Sequence, residues 1–301
     1  MSRTFIPTAA SVFERLPRVL RRHRLFTAWM SLTNEDPIQL VRIRDSFYGY
    51  ADMRDGFLRL VVIDGDFERD FFALADAFLA EGGVFLDIGA NYGLLSCGLA
   101  GRHANKVRFH LFEPNAALID VMRRSLALYP TVEFTLNCTA VSDRVGFVAF
   151  LVNKHQTGAS HIEDGVGEKV PSVTIDHYLH QVGIGQVELL KMDIEGYELS
   201  AMRGAQGSLA KRTIQALYFE YFAKYLVRVA PPGELLKYLD DLEYEVCFCR
   251  KYDLRSSGGA SHSIRSGFPG HGIPLRPVKG HCIPAMTDLL AVPKENLESL
   301  G

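Results

Sequence analysis

Carboxylates follow several apolar runs in the middle of the chain. Asp87 precedes a glycine turn, Glu113 ends a second run, and Asp193 ends a later one with Glu195 two residues on. A further run ends on Glu220. Parallel strands place their carboxyl ends along one edge of a sheet, where the ligands of open α/β sheets bind. We therefore expect these side chains to converge, and buried like charges raise one another's pKa until one can act as a general base.

The stretch 84–93 has the pattern of a buried strand, a glycine turn and the start of a helix, which directs backbone N–H groups at a ligand. A dinucleotide site requires G-x-G-x-x-G, but Asn91 occupies its second glycine position and the spacing is Gly89-x-x-x-Gly93. This disfavours a nicotinamide-dependent oxidoreductase. Asp87 suits a sulfonium better than a diphosphate, so the loop predicts S-adenosylmethionine. Glu113, about 25 residues further on, is placed to accept hydrogen bonds from ribose hydroxyls.

The same carboxylates predict the acceptor chemistry. The segment after the fourth strand reads Asp193-Ile-Glu-Gly196, where amine methyltransferases usually carry N-P-P-Y or D-P-P-Y, so oxygen is the expected acceptor atom. The hydroxyl proton must then be removed, by a carboxylate or by His161 in a polar insert. The cluster also has the oxygen ligands that Mg²⁺ prefers. The alternative is structural: Glu195 or Glu220 caps a helix or pairs with Lys191.

Alternating strand and helix patterns from residue 84 to 242 predict elements that position these groups. The expected fold is a Rossmann-like α/β domain with a mostly parallel seven-stranded sheet and helices on both faces. Predicted strands cover 84–88, 108–113, 132–140, 146–152, 188–193, 214–221, 245–249 and 288–292, and predicted helices cover 93–100, 116–128, 174–180, 198–210 and 232–242.

Three segments flank or interrupt the predicted domain at 81–295. Residues 1–45 are expected to form a helical arm, which has six arginines and one acidic residue before Asn34. This basic segment is either a solvent-exposed helix face or a contact with an anionic membrane surface. Residues 46–80 are expected to form a hairpin, with β-branched residues at 57–63, and then an amphipathic helix. Residues 255–280 form a predicted flexible insertion, either a lid over the substrate or a mobile surface loop.

Composition restricts the protein class and its partners. The net charge of −2 offers no general attraction for nucleic acid, so we expect none as a partner. Five scattered cysteines do not form a disulfide framework, which indicates a reducing compartment and leads us to expect the cytoplasm. The sequence does not indicate an oligomeric state.

In this order the motifs D-I-G-A-N-Y-G, L-F-E-P-N, A-V-S-D, K-M-D-I-E-G-Y-E, F-E and D-L-L-A-V-P resemble the FkbM family of S-adenosylmethionine-dependent methyltransferases, over residues 65–293. The resemblance implies O-methylation of a sugar, glycan or small natural product. It also implies a set of cofactor contacts and places Asp193 and Glu195 in the second family signature. The implied cofactor contacts are Asp87, Gly89, Ala90, Asn91, Gly93, Glu113, Ser142 and Asp143. A protein substrate and a non-catalytic S-adenosylmethionine-binding module are the remaining alternatives.

Overall fold

The computed structural model describes residues 36–43, 47–56, 58, 61, 67–103, 105–153, 156–163, 165–249 and 261–300. Most of the predicted arm and the start of the predicted insertion, at 255–260, lie outside this part of the chain. The helices are α1 (Arg69–Phe78), α2 (Leu94–His103), α3 (Ala116–Leu126), α4 (Ile175–Val182), α5 (Glu198–Arg203), α6 (Gln206–Ala210), α7 (Ala223–Leu226) and α8 (Pro232–Asp241).

The strands are β1 (Ile38–Ile43), β2 (Phe47–Asp52), β3 (Gly83–Ile88), β4 (Val107–Phe112), β5 (Glu133–Asn137), β6 (Ala140–Val141), β7 (Gly146–Leu151), β8 (His161–Ile162), β9 (Glu168–Val173), β10 (Leu189–Met192), β11 (Leu217–Phe222), β12 (Tyr244–Phe248), β13 (His262–Ile264), β14 (Pro274–Pro277), β15 (Met286–Pro293) and β16 (Leu297–Ser299).

The main sheet has ten strands in the order β5-β4-β3-β10-β11-β15-β12-β14-β13-β16. The run from β5 to β11 is parallel, and every pairing beyond β11 is antiparallel. The chain moves outward from β3 to β5 and then returns to the other side of β3 with β10. Such a reversal opens a crevice at the carboxyl ends of β3 and β10, where doubly wound sheets bind ligands.

Helices cover both faces of this sheet, as alternating strands and helices require. One buried cluster joins α1, α2, α3 and the β1–β2 hairpin to the sheet. The other joins α4, α5, α6 and α8 to the opposite face. On α1 the buried side chains Phe71, Phe72, Leu74, Ala75 and Phe78 recur at helical spacing, and this periodicity turns the helix toward the sheet.

A second sheet of four strands, in the order β6-β9-β7-β8, lies between β5 and α4 along the chain. The extra strand predicted at 146–152 is β7, and it pairs antiparallel with β9 and β8. A short 3-10 helix, Thr157–Ala159, lies between β7 and β8. This inserted unit matters for the site because the segment carrying the 3-10 helix approaches the loop that follows β3.

Three sequence predictions about the architecture are wrong. The sheet has ten strands instead of seven, because residues 262–299 supply β13, β14 and β16 in the region predicted as an insertion and beyond it. The hairpin is β1–β2, so residues 38–43 of the expected helical arm are a strand. Of the strand predicted at 57–63, only Leu58 and Val61 lie within the described residues, and both are helical. Among the helices that the structure describes, none has the length and apolar character that crossing a bilayer requires.

Candidate active site

The loop after β3 is held by close backbone contacts. Gly89 has a φ of 75°, and a Cβ there would lie 1.9 Å from the carbonyl oxygen of Asp193. Only glycine fits this position. The Gly89 N–H donates to the carbonyl of Phe112 at 3.0 Å. Asn91 has a φ of 52°, and its N–H donates to Oε2 of Glu113 at 2.9 Å. The ends of β3, β4 and β10 therefore meet at this loop.

Asp87 is connected to the glycine loop through Lys191. Its side chain is buried, with Oδ2 accepting a hydrogen bond from Oγ of Ser96 at 2.7 Å and Oδ1 lying 3.4 Å from Nζ of Lys191. Lys191 in turn donates to the carbonyl of Gly89 at 2.8 Å. Asp87 was predicted to contact the cofactor, but it lines neither cleft described below. It anchors α2 and the glycine loop.

Lys191 has a larger role than the sequence indicates. It was considered only as a partner of Glu195 or Glu220, whereas the structure pairs it with Asp87 and, at 3.9 Å, with Asp193. Burial opposes its charge, but the carboxylates of Asp87 and Asp193 outweigh burial and raise the pKa of Lys191. A lysine inside the apolar run of β10 was the available signal, because a buried lysine requires a partner of opposite charge.

Glu113 is held at the end of β4 by two backbone donors. Its Oε1 accepts from the N–H of Asn115 at 2.8 Å and its Oε2 from the N–H of Asn91 at 2.9 Å. Burial nevertheless raises the pKa of Glu113 to about 7. Each carboxylate oxygen keeps a second lone pair for a ligand hydroxyl. This geometry leaves Glu113 able to accept hydrogen bonds from ribose hydroxyls, and its ribose-binding role stays a prediction.

A first cleft, with an open volume of about 580 Å³, lies over the ends of β3 and β4. One wall comes from the main sheet and its loops, the other from the inserted sheet. The lining residues are Ile88, Gly89, Asn91, Phe112, Glu113, Pro114, Thr139, Ala140, Val141, Phe150, Thr157, Gly158, Ser160, Ile162, Asp193 and Ile194.

Of the predicted cofactor contacts, Gly89, Asn91 and Glu113 line this cleft. The predicted site residues that do not line it include Asp87, Ala90, Gly93, Ser142, Asp143 and His161. Ser142 is buried with its Oγ 2.6 Å from Oγ of Ser172, and Asp143 pairs with Arg144 at 3.2 Å. The residues that precede Ser142, from Thr139 to Val141, do line the cleft. The imidazole of His161 is 3.0 Å from the carbonyl of Ala159 and 3.4 Å from Glu163, so its contacts are within its own hairpin.

A second cleft of about 650 Å³ adjoins the first, and the two share Gly89, Asn91 and Asp193. Its lining combines aliphatic and aromatic side chains with four carboxylates and one lysine. The lining residues are Leu58, Phe67, Glu68, Gly89, Ala90, Asn91, Tyr92, Leu94, Leu95, Lys191, Met192, Asp193, Tyr218, Glu220 and Asp288. Asp193 therefore stands at the junction of both clefts.

Asp193, Glu195 and Glu220 form a cluster, here called the carboxylate trio. Each offers an oxygen, and these oxygens all lie within 4.8 Å of one another. The convergence expected from the sequence is therefore present. Glu195 follows β10 in a turn with a φ of 57°, a conformation that is rare for a non-glycine residue and typical of functional sites. Glu198 supports this turn, since its Oε1 accepts from the N–H groups of Ile194 at 3.0 Å and Gly196 at 3.4 Å.

The trio resists full ionisation. Desolvation and then the charge of Asp193 raise the pKa of Glu195 to about 8, and desolvation with the charges of Asp193 and Glu195 raises that of Glu220 to about 9. The Asp193 side chain is 47% exposed to the cleft, yet protein atoms crowd around it. This desolvation raises its pKa although Lys191 opposes the shift. At neutral pH the trio therefore retains protons.

A model of the methyltransferase FkbM domain matches residues 87–246, which is more than half of the chain. The chain belongs to the FkbM methyltransferase family. It is therefore an S-adenosylmethionine-dependent methyltransferase in family and fold. No curated protein matches it.

Solved structures of methyltransferases are similar to this FkbM methyltransferase at low identity. They include precorrin-6y C5,15-methyltransferase from Geobacter metallireducens (12% identity, 74% of this chain and 87% of that chain covered, TM-score 0.38). An S-adenosylmethionine-dependent O-methyltransferase from Thermotoga maritima matches at 12% identity, with 87% and 80% covered and a TM-score of 0.40. The structure of M. jannaschii TYW2 in complex with AdoMet matches at 10% identity, with 89% of this chain and 90% of that chain covered and a TM-score of 0.40.

The first cleft of the FkbM methyltransferase fits S-adenosylmethionine. Gly89 and Asn91 line this cleft, so the glycine loop forms part of the surface that a ligand would contact. Glu113 supplies a hydrogen-bond acceptor for ribose hydroxyls at the end of β4. Phe112, Val141 and Phe150 provide apolar surface for a purine. The carboxylate of Asp193 at the inner end suits a positively charged sulfonium.

Proposed function

We propose that this FkbM methyltransferase transfers the methyl group of S-adenosylmethionine to a hydroxyl of a sugar, a glycan or a small natural product. The observation that carries the proposal is the junction of the two clefts. The first fits the cofactor, the second is open to an acceptor, and Asp193 lies between them with Glu220 on the acceptor side. The carboxylate trio is thus next to the point where an acceptor oxygen would meet the methyl group.

Methyl transfer to oxygen needs alignment and removal of one proton. The bound cofactor supplies a methyl group on a sulfonium centre and leaves as S-adenosylhomocysteine. The two clefts align the reactants, which is the main contribution an enzyme makes to such a displacement. Glu195 and Glu220 have pKa values of about 8 and about 9, so they are mostly protonated at neutral pH and act as bases once ionised, increasingly as the pH approaches those values. The acceptor proton passes to a carboxylate of the trio.

The second cleft has the lining that a polyhydroxylated acceptor would need. Glu68, Glu220 and Asp288 offer carboxylate oxygens, which accept hydrogen bonds from hydroxyl groups. Phe67 and Tyr218 offer aromatic surface on which the C–H face of a sugar or an apolar ring can pack.

Mg²⁺ held by the carboxylate trio is a second way to activate the hydroxyl, because the trio offers hard oxygen ligands. A bound cation would lower the pKa of the hydroxyl directly. We propose the carboxylate base, because Glu220 lines the second cleft, where the acceptor hydroxyl would bind. Transfer that continues in excess EDTA supports the base. Transfer that stops in EDTA and returns with Mg²⁺ would replace it by the metal.

The experiment measures the transfer of an isotope-labelled methyl group from S-adenosylmethionine to sugars and polyketides. Each acceptor is compared with an analogue in which the hydroxyl is absent or replaced by an amine. We expect label on the hydroxyl compound and none on its deoxy partner. Glu220→Gln should lower kcat at least a hundredfold and leave the affinity for S-adenosylhomocysteine within about twofold, because Glu220 lies outside the first cleft. Label that appears only on amines or on added protein would contradict the proposal.

A further inference from the structure

Thr157, in the 3-10 helix of the inserted sheet, joins three segments that are distant in sequence. Its N–H donates to Oδ2 of Asp55 at 2.7 Å, and its Oγ1 lies 2.8 Å from the same oxygen. The same Oγ1 lies 2.9 Å from Oδ1 of Asn91 in the glycine loop. The hydroxyl therefore links the inserted sheet both to the β2 side of the domain and to the loop after β3.

Proton counting shows how this link works. A threonine hydroxyl has one proton to donate and two lone pairs to accept with. The hydroxyl donates this proton to the carboxylate of Asp55, so it must accept a hydrogen bond from Asn91. A 180° rotation of the Asn91 side-chain amide exchanges its oxygen and nitrogen, and the amide N–H then donates to Oγ1 of Thr157. Asp55 is 3% exposed, and its other oxygen accepts from the N–H of Leu58 at 3.2 Å. A buried carboxylate held at both oxygens gives the hydroxyl a fixed orientation.

The link acts on groups that form the first cleft. Asn91 has a φ of 52°, which is an unfavourable backbone region for a residue with a side chain, and its N–H donates to Glu113. A hydrogen bond to its side chain helps to hold it there. Thr157 and Gly158 also form the wall of the cleft opposite the strand ends. One side chain thus fixes both the glycine loop and the facing wall.

We propose that Thr157 is a positioning residue for the cofactor: its hydroxyl, oriented by Asp55, holds Asn91 and fixes the inserted sheet as the outer wall of the first cleft. The proposal rests on the assignment of that cleft to S-adenosylmethionine. In this proposal the inserted sheet contributes to cofactor binding in addition to the glycine loop and Glu113.

Calorimetric titration of the full chain with S-adenosylhomocysteine tests the proposal without knowledge of the acceptor. Thr157→Val keeps the shape of the side chain and removes the hydroxyl, and we expect the Kd to rise roughly tenfold. Thr157→Ser restores the hydroxyl and should bind within about twofold of wild type. Thr135→Val, the same change at an exposed position of β5 outside both clefts, is the matched control and should leave the Kd unchanged.

Introducing Thr157→Val into an Asn91→Gly variant tests whether Thr157 acts through the side chain of Asn91. Asn91→Gly removes the amide and accepts the positive φ. If Thr157 works through this side chain, adding Thr157→Val to Asn91→Gly should raise the Kd by less than about twofold more. A full tenfold increment in this background contradicts the coupling.

Two further outcomes are distinguishable. Wild-type protein that binds no S-adenosylhomocysteine overturns the assignment of the cleft, and the positioning role with it. Wild type that binds while Thr157→Val binds equally well, or while Thr157→Ser fails to restore affinity, overturns the positioning role alone. Melting temperatures without ligand separate this from a purely structural role, which would lower the melting temperature of Thr157→Val without changing the Kd of the folded protein.

Discussion

Replacing Gly89 by alanine should damage both the stability and the cofactor site. A Cβ at residue 89 would lie 1.9 Å from the carbonyl oxygen of Asp193, whereas real Cβ contacts are essentially never under 3.0 Å. The ends of β3 and β10 would have to separate by about 1 Å, because both contact atoms are backbone or fixed to it. The φ of 75° adds a conformational cost of about 1–2 kcal/mol for a non-glycine residue. We expect a total loss of about 3 kcal/mol in the free energy of unfolding.

Gly183→Ala is the matched control for this change. Gly183 ends α4 with a φ of 68°, and a Cβ there meets no atom within 4 Å. This variant carries the conformational cost without the collision, so it should lose about 1 kcal/mol.

Urea unfolding gives the stability of both variants, and calorimetry gives their affinity for S-adenosylhomocysteine. Gly89→Ala should bind at least about tenfold more weakly, since a displacement near 1 Å disrupts the groups that must hold the ligand. Gly183→Ala should bind like wild type. Equal stability losses in the two variants, or unchanged affinity in Gly89→Ala, would refute the close approach of the glycine loop to Asp193.

Three more predictions follow from the site. Because burial and neighbouring charge raise the pKa of Glu220 from 4.5 to about 9, the folded protein holds more protons than the unfolded chain between these values. Stability should therefore fall as pH rises from about 5 to 9, and melting curves of Glu220→Gln should show a smaller decline; an identical decline would contradict the shift. Glu113→Ala should raise the Kd for S-adenosylhomocysteine about tenfold or more by calorimetry, through loss of a charged hydrogen-bond acceptor. Asp193→Ala should instead lower kcat at least a hundredfold. Although Asp193 lines the first cleft, S-adenosylhomocysteine lacks the sulfonium charge that this carboxylate would contact, so that Kd should change little. Reversal of these two effects would contradict the assigned roles.

The parallel half of the fold and the convergence of the trio could be predicted from the sequence. Apolar runs that alternate with amphipathic helices require a sheet covered on both faces. That architecture places strand ends together, and Asp193, Glu195 and Glu220 each follow or end such a strand. Gly89 was recognisable because a glycine between a buried strand and a helix permits both the turn and the close contact.

Other features depended on contacts between distant segments. Thr157 belongs to a polar insert whose pattern does not show that it touches Asp55 and Asn91, which lie 102 and 66 residues earlier. Ser142 is buried against Ser172 of β9, a contact between residues 30 positions apart that the sequence pattern does not show. The β-branched residues at 57–63 satisfy a strand pattern, but short apolar runs are ambiguous between strand and helix. Strands β13, β14 and β16 are short and pair antiparallel at one edge, and a Ser-, Gly- and Pro-rich composition resembles a loop.

The most direct test of the cofactor site is parallel calorimetric titration of the full chain with S-adenosylmethionine, S-adenosylhomocysteine and NAD. The structure predicts micromolar binding of the first two, no binding of NAD, and loss of affinity in Glu113→Ala. Binding of NAD alone, or of none of the three, would contradict the assignment of the first cleft to S-adenosylmethionine.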